Sequence, residues 1–285
     1  MGLNIEQLIR QSSQQLEKSS DSARLDVELL LAHSLGKDRT HLFTWCDKQV
    51  CEEDENTFQA LFTRRLKGEP IAYILGQQEF WDLTFNTAHH TLIPRADTET
   101  LIEWVLELST QLPNKARVID LGTGTGAIAL VLASEFPQWQ VEGIDLIPQA
   151  VELAQSNAKL NQLERVRFYQ SSWFEQVVGQ FDLIVSNPPY IDPADEHLSQ
   201  GDVRFEPKSA LVAENKGLAD LELIAGQSKK FLASGGWLLM EHGYDQQDAV
   251  QSMLIELGYQ QVSTRIDLGG NPRITGGQFI NGKTV

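Results

Sequence analysis

Residues 117–127 read Arg117-Val118-Ile119-Asp120-Leu121-Gly122-Thr123-Gly124-Thr125-Gly126-Ala127, an apolar run that ends in an acid and then breaks into three alternating glycines. A short strand that opens at once into such a loop, with the helical pattern of Ile128 to Phe136 behind it, is the start of a nucleotide-binding β–α unit. Glycine is required because the loop must turn tightly and let a ligand approach backbone where a Cβ would collide. This stretch therefore sets both the fold class and the place where a ligand binds.

Outward from it, helix and strand patterns alternate. Leu101, Ile102, Val105 and Leu108 predict a helix before the first strand. After it come a strand over 140–145, a helix over 148–160 with Pro148 in its first turn, and a strand over 166–169. Residues 181–186 form a continuous apolar run of the kind a sheet covered on both faces requires. A helix over 220–232, a strand over 236–240, a helix over 246–257 and a strand over 260–266 follow, and Gln278 enters a final strand. Right-handed crossovers between such strands give an α/β fold, a doubly wound, mostly parallel sheet that binds its ligand beyond the carboxyl ends of the strands.

The 285 residues have room for this sheet and a smaller unit before it. Ile5, Leu8 and Ile9, then Leu25, Leu29, Leu30 and Leu35 closing at Gly36, then Phe58, Leu61, Phe62 and Leu66 closing at Gly68, predict a helical bundle over 1–76. Phe80-Trp81, Leu83 and Phe85 against Thr91-Leu92-Ile93 predict a β-hairpin linker over 77–93, with residues 86–90 as its turn. Residues 94–285 are then the sheet domain. His89 and His90 fall in the presumed turn and read as solvated side chains, and no group of residues has metal-ligand spacing.

The formal charge of −16 divides as −3 over residues 1–76 and −13 over 77–285. A chain so acidic repels phosphate backbones and anionic membranes, which disfavours a nucleic-acid reader, including a DNA-binding helix-turn-helix in the helical segment. No run of about 18 apolar residues and no signal-peptide pattern is present, so a soluble cytoplasmic protein is expected. Cys46 and Cys51 read as two reduced thiols.

With Ala127, the loop Gly122-x-Gly124-x-x-Ala127 also satisfies the relaxed dinucleotide fingerprint, so NAD stays open on the glycines alone. Three features favour S-adenosylmethionine. Asp120 precedes the glycines, where an acid suits a cationic amino-acid moiety and repels a pyrophosphate; Asp145 ends the next strand, where it can accept ribose hydroxyls; and Trp173 follows the third strand, where its plane can lie against an adenine. Gly122, Thr123, Gly124, Thr125, Gly126, Asp145 and Trp173 are the candidate cofactor residues.

The fourth strand runs directly into Asn187-Pro188-Pro189-Tyr190. Two prolines fix φ and remove two backbone donors, leaving carbonyls as free acceptors. Such an array suits a planar –NH₂ group: the Asn187 oxygen and the Pro188 carbonyl take its hydrogens while Tyr190 packs on its plane. The nitrogen of an amide or an adenine is a poor nucleophile, and what these residues supply is orientation and withdrawal of N–H density, with no strong base. Asn187, Pro188 and Tyr190 are the candidate catalytic residues, and Pro189 completes the substrate contact; Asn187 also faces the cofactor.

These motifs resemble those of class I methyltransferases acting on exocyclic or amide nitrogen. Residues 68–76 (Gly-Glu-Pro-Ile-Ala-Tyr-Ile-Leu-Gly), 79–81 (Glu-Phe-Trp), 92–99 (Leu-Ile-Pro-Arg-Ala-Asp-Thr-Glu) and 205–207 (Phe-Glu-Pro) with Ala210-Leu211 narrow the resemblance to the HemK/PrmC family of peptide chain release factor glutamine methyltransferases. The resemblance spans nearly the whole chain. It implies methylation of the glutamine of the Gly-Gly-Gln motif in bacterial class 1 release factors, with S-adenosylmethionine as cofactor; a monomer is expected, and the acidic charge of both parts argues against direct nucleic-acid binding. By position it implies residues 122–126 at the methionine part, Asp145 at the ribose, Trp173 at the adenine and Asn187 facing both substrates. The family has Pro-Glu where Ala96-Asp97 stand here, which leaves the roles of Arg95 and Glu99 open. The same amide clamp serves a ribosomal-protein glutamine in a sister family and adenine in DNA methyltransferases. Gly276-Gly277-Gln278 repeats the substrate tripeptide and reads as a chance recurrence.

Overall fold

The computed structural model describes residues 2–281. The chain divides into two compact units, Met1–Gln77 with Ser199–Phe205, and Gln78–Leu198 with Glu206–Val285.

The first unit holds α1 (Ile5–Leu16), α2 (Ala23–Leu35), α3 (Arg39–Thr44), α4 (Glu52–Leu66) and α5 (Ile71–Leu75). Asn4 opens α1 with a capping box shared with Gln7, and Gly36 closes α2 in the left-handed conformation. Leu8, Leu16, Leu30, Leu31, Phe58 and Phe62 fill its core. The expected stripe on α2 is only partly right: Leu25 is 41% exposed, while Asp26 and Glu28 turn inward. Both acids are paired, Asp26 with Arg65 at 2.7 Å and Glu28 with Arg24 at 2.8 Å and Arg39 at 2.6 Å. The 199–205 segment is tied to the helices by Arg65 to Asp202 at 3.0 Å and by Arg204, which donates to the Lys67 carbonyl at 3.0 Å.

The second unit begins with a hairpin whose register differs from the expected one. The strands are β1 (Gln77–Phe80) and β2 (Leu83–Asn86), turning at Trp81-Asp82, and residues 91–93 are not a strand. Trp81 takes a φ of 57° that turn chemistry normally assigns to Gly or Asn, which hid the turn. Phe80 and Phe85 are buried in the same cluster as Leu101, Leu130 and Leu183, so the hairpin is part of the sheet unit's core.

That core is a seven-stranded sheet of β3 (Arg117–Leu121), β4 (Gln140–Asp145), β5 (Arg167–Gln170), β6 (Phe181–Ser186), β7 (Leu232–Glu241), β8 (Gln260–Ile266) and β9 (Pro272–Gln278) in the order β5-β4-β3-β6-β7-β9-β8. The first five pair in parallel, and β9 runs antiparallel to both β7 and β8. One face is covered by α6 (Glu99–Leu108), α7 (Ala127–Glu135) and α8 (Pro148–Leu160), the other by α10 (Ala219–Ser228) and α11 (Gln247–Glu256), with a single turn α9 (Glu214–Gly217) before them. The predicted helix over 220–232 stops at Ser228 because Leu232 already begins β7. Strand order reverses at β3, which pairs with β4 on one side and β6 on the other. This is the switch point where a doubly wound sheet opens its crevice.

Gly276, Gly277 and Gln278 end β9. A Cβ on Gly276 would lie 2.3 Å from a Leu239 methyl, and the Gln278 amide is bonded to the Gly235 carbonyl and to Gln261. Sheet packing accounts for the tripeptide. Among the described residues no helix is long and apolar enough to cross a membrane, and no three His, Cys, Asp or Glu side chains are grouped to hold a metal ion.

Candidate active site

After β3 the chain turns through Gly122, Gly124 and Gly126 at φ of 73°, 54° and 84°. Backbone strain at those angles excludes most side chains, which is why the loop alternates glycine with threonine. Thr123 fixes the turn, its N–H donating to the Ile144 carbonyl at 2.8 Å and its hydroxyl to Asp120 at 2.6 Å. Gly126 begins α7, and a Cβ there would press on Ala154, Phe168 and Leu130 at 3.2 to 3.3 Å. Its role is helix-to-sheet packing; it does not line the cleft.

Asp120 differs from expectation. It is 1% exposed, lies behind Thr123 and takes no part in lining the cleft. One carboxyl oxygen accepts from Thr123, the other has no partner at hydrogen-bond geometry, and burial outweighs the pull of the Thr123 hydroxyl and the Ala129 N–H to push the group up to about 7. It therefore braces the loop from beneath rather than facing a ligand. Asp145, at the end of β4, does line the cleft. Its oxygens accept from the N–H groups of Gly124 at 3.0 Å and Ile147 at 2.9 Å, and burial pushes its carboxyl up against their pull. Each oxygen keeps a lone pair for a ligand hydroxyl.

Trp173 has a φ of 44°, and its ring stands against Gly122, 3.6 Å from where a Cβ there would sit. Its indole N–H is bonded to Asp220 at the head of α10. Gly122, Thr123, Gly124, Thr125, Asp145 and Trp173 thus meet around one cleft. Asn187 and Pro189 form another part of its wall. The register that pairs Leu121 with Ser186 explains the meeting, since it sets the loops after β3 and β6 side by side.

Within Asn-Pro-Pro-Tyr the four residues part company. Asn187 donates through Nδ2 to the Thr98 hydroxyl at 3.2 Å, which leaves Oδ1 free. Pro188, expected to contact the substrate, is buried and does not line the cleft; no donor from the described residues reaches its carbonyl. Tyr190 does not lie open as a plane for a substrate. Its hydroxyl donates to Glu241 at 3.0 Å, its ring packs among the residues between the sheet and α10–α11, and burial beside Glu241 raises its pKa strongly.

No role at the site was expected of Thr98, Glu206 or Glu241, and His90 was expected to be solvated. Thr98 donates to the second oxygen of Glu241 at 2.7 Å. Glu206 accepts from the Ile93 N–H at 2.9 Å and pairs with Arg95, while His90 lines the cleft with a ring nitrogen 3.1 Å from the Gln149 carbonyl. Asp97 pairs with Arg273 at 3.3 Å and Glu99 accepts from the Trp81 N–H at 3.1 Å, so the departures at 96–97 leave that turn anchored. A carboxylate closing the apolar run Trp237-Leu238-Leu239-Met240 is the signal that could have found Glu241, because a buried charge requires partners.

Numbered within itself, the sheet has the order 3-2-1-4-5-7-6, a glycine loop after its first strand and an acceptor motif after its fourth, which together define a class I methyltransferase. Residues 98–205 match the methyltransferase small domain model, and residues 7–76 match that of the PrmC N-terminal domain. A methyltransferase structure from Pyrococcus furiosus superposes with a TM-score of 0.54 at 19% identity, covering 77% of this chain and 98% of that one. The release factor glutamine methyltransferase of Aliivibrio fischeri is 50% identical over 283 residues, 98% of this chain and 99% of its own length. That of Escherichia coli K12 is 47% identical over 272 residues, 95% and 97% of the two chains. The chain belongs to the release factor glutamine methyltransferase family.

Proposed function

We propose that the enzyme transfers a methyl group from S-adenosylmethionine to the side-chain amide nitrogen of the glutamine in the Gly-Gly-Gln motif of bacterial class 1 release factors. The observation that carries this reading is the free Oδ1 of Asn187 on the wall of the same cleft as the glycine cradle and the strand-end carboxylate, with the Pro188 carbonyl next to it in the chain unengaged. The cradle suits a nucleoside with an amino-acid arm. Gly122 leaves room against Trp173 that a Cβ would fill, and Asp145 has lone pairs for a ribose. Residues 122–125, Asp145, Trp173 and Asn187 hold the cofactor in this reading, with Gly126 supporting the loop. S-adenosylmethionine bound there supplies an electrophilic methyl group.

The chain's own part is to bind and orient the acceptor. Asn187 Oδ1 and the Pro188 carbonyl accept the two N–H hydrogens of the glutamine amide, and Pro189 packs beside it. Holding these hydrogens polarises the N–H bonds toward nitrogen, which becomes more electron-rich as it is alkylated, and the proton then leaves to water. Tyr190 acts through its hydroxyl bond to Glu241, holding the motif's far end. The helical residues 1–76 serve to recognise the release factor, and the enzyme works as a cytoplasmic monomer without nucleic acid.

The test is incubation with methyl-labelled S-adenosylmethionine and an unmodified release factor, followed by peptide mapping. Label is expected on the Gly-Gly-Gln glutamine, and Asn187→Ala is expected to lower turnover by about 10²-fold or more. Label found only on an adenine or on a ribosomal-protein glutamine refutes the reading.

A further inference from the structure

Glu241 is the least expected charge in the sheet unit. It is 1% exposed at the end of β7, where a carboxylate is costly unless hydrogen-bonded. One oxygen accepts from the Tyr190 hydroxyl at 3.0 Å and the other from the Thr98 hydroxyl at 2.7 Å. A hydroxyl has one proton, so Thr98, having given its proton to Glu241, can offer only a lone pair to the next group. That group is Asn187, 3.2 Å away through Nδ2. Were the Asn187 amide turned over, Oδ1 would meet an oxygen lone pair and the bond would be lost.

We propose that Glu241 is a positioning residue for methyl transfer, which through the Thr98 hydroxyl fixes the Asn187 side-chain amide with its oxygen directed to the acceptor. The inference rests on the reading of Asn187 as the amide acceptor. One buried carboxylate thereby holds both ends of Asn-Pro-Pro-Tyr, Asn187 by way of Thr98 and Tyr190 directly. The chain of bonds also polarises in one sense, from the anion through the hydroxyl to the Asn187 NH₂, which strengthens Oδ1 as an acceptor.

The charged groups around Glu241 are Arg273 from β9, which favours its ionised form, and Asp97 from the turn before α6, which opposes it. Tyr190 faces it from the loop after β6, and His242, next on β7, is turned to Thr275 and the Gly243 carbonyl. Burial dominates and pushes Glu241 up to about 6. Below that pH the protonated group is a donor, Thr98 is free to turn its proton toward Asn187, and the amide loses its single orientation.

Glu241→Gln tests this, since it keeps the shape but leaves one acceptor oxygen and a donating NH₂ where two acceptors stood, so Thr98 and Tyr190 can no longer both give it their protons and Thr98 is no longer committed as an acceptor toward Asn187. Expected is a fall in kcat of between about 10- and 100-fold, with S-adenosylmethionine affinity and the KM for release factor within about threefold of the parent. The acid limb of kcat near pH 6 should vanish in the variant. Thr98→Val should repeat the fall, and Thr98→Ser, which restores the hydroxyl, should recover most of it. A Glu241→Gln kcat within about twofold of the parent, or a loss of cofactor affinity as large as the loss of kcat, overturns the proposal. A parent that labels no release factor refutes the functional reading alone. The Asn187 side-chain amide resonance of the free protein then decides the positioning role: it is expected to shift as pH crosses about 6 in the parent and to stay constant in Glu241→Gln. A resonance indifferent to both overturns the proposal.

Discussion

Replacing Asp120 by Asn tests the electrostatics beneath the glycine loop. In the folded chain the Asp120 carboxyl titrates near 7, pushed up by burial, against an ordinary value of 3.8. The folded state thus holds the proton more tightly than the unfolded state does. Below about pH 4 both states are protonated and the group costs nothing. As pH rises from about 4 to about 7 the unfolded chain ionises first, and stability falls by up to about 1.4 kcal/mol per pH unit. Above 7 the cost is constant, ~4 kcal/mol in all. Asp120→Asn keeps an oxygen for the Thr123 hydroxyl and removes the ionisation, so the variant should gain on the parent as pH rises. Between pH 5 and pH 8 the gain should be about 2–3 kcal/mol, read from urea unfolding of both proteins by tryptophan fluorescence. The sign matters as much as the size: an acid stabilised by ion pairing would give the opposite trend. A difference between variant and parent that stays flat to within about 0.5 kcal/mol across that range would refute the buried, donor-poor carboxyl.

Asp145→Ala removes the strand-end acceptor and should weaken S-adenosylmethionine binding by about tenfold or more, or 1.4 kcal/mol by calorimetry; an unchanged affinity removes Asp145 from the ribose site. Arg65→Met leaves Asp26 buried with, among the described residues, the Ser20 and Ser22 hydroxyls as its donors. It should destabilise the helical unit by about 3 kcal/mol in urea melts, and a loss below about 1 kcal/mol would show that the pair is dispensable. With −13 on residues 77–285, methylation of an intact release factor should slow as salt is added, while methylation of a short neutral Gly-Gly-Gln peptide should not. Equal salt dependence of the two would deny any steering by that charge.

Where residues are buried on both faces or punctuated by Pro and Gly, the sequence was enough to place the elements. The strands at 117–121, 140–145, 181–186 and 260–266 and the helix at 148–160 have the bounds expected of them. Failures occur where tertiary partners override local preference. Leu25 lies on the expected apolar stripe of α2 yet points outward, because Asp26 and Glu28 find arginines inside. The Trp81 turn carries none of the residues that announce a positive φ, and it is held by the packing of Phe80 and Phe85. The helices α3 and α5 span only six and five residues, too few for a periodic pattern to stand out.

The site was legible to the extent that its demands are local. A loop at positive φ needs glycine wherever it occurs, and free carbonyls need proline, so both motifs announce themselves in a few consecutive residues. Asp120 was misplaced for want of one further local step. Side chains alternate along a strand, so Val118 and Asp120 share the face covered by α7, while Ile119 and Leu121 take the other. An acid on that face lies under the loop rather than at its mouth. Glu241 required the sheet order as well. Ser186 pairs with Met240 in the parallel β6–β7 ladder, so one residue further along both strands sets Asn187 level with Glu241. Burial then demands donors for the carboxylate, and the nearest are those that the Asn187 loop and the residues before α6 bring. The observed strand order, joined to the cost of a buried charge, thus sets a carboxylate at the end of β7 level with Asn187 and requires donors for it there. Neither consideration alone reaches that result.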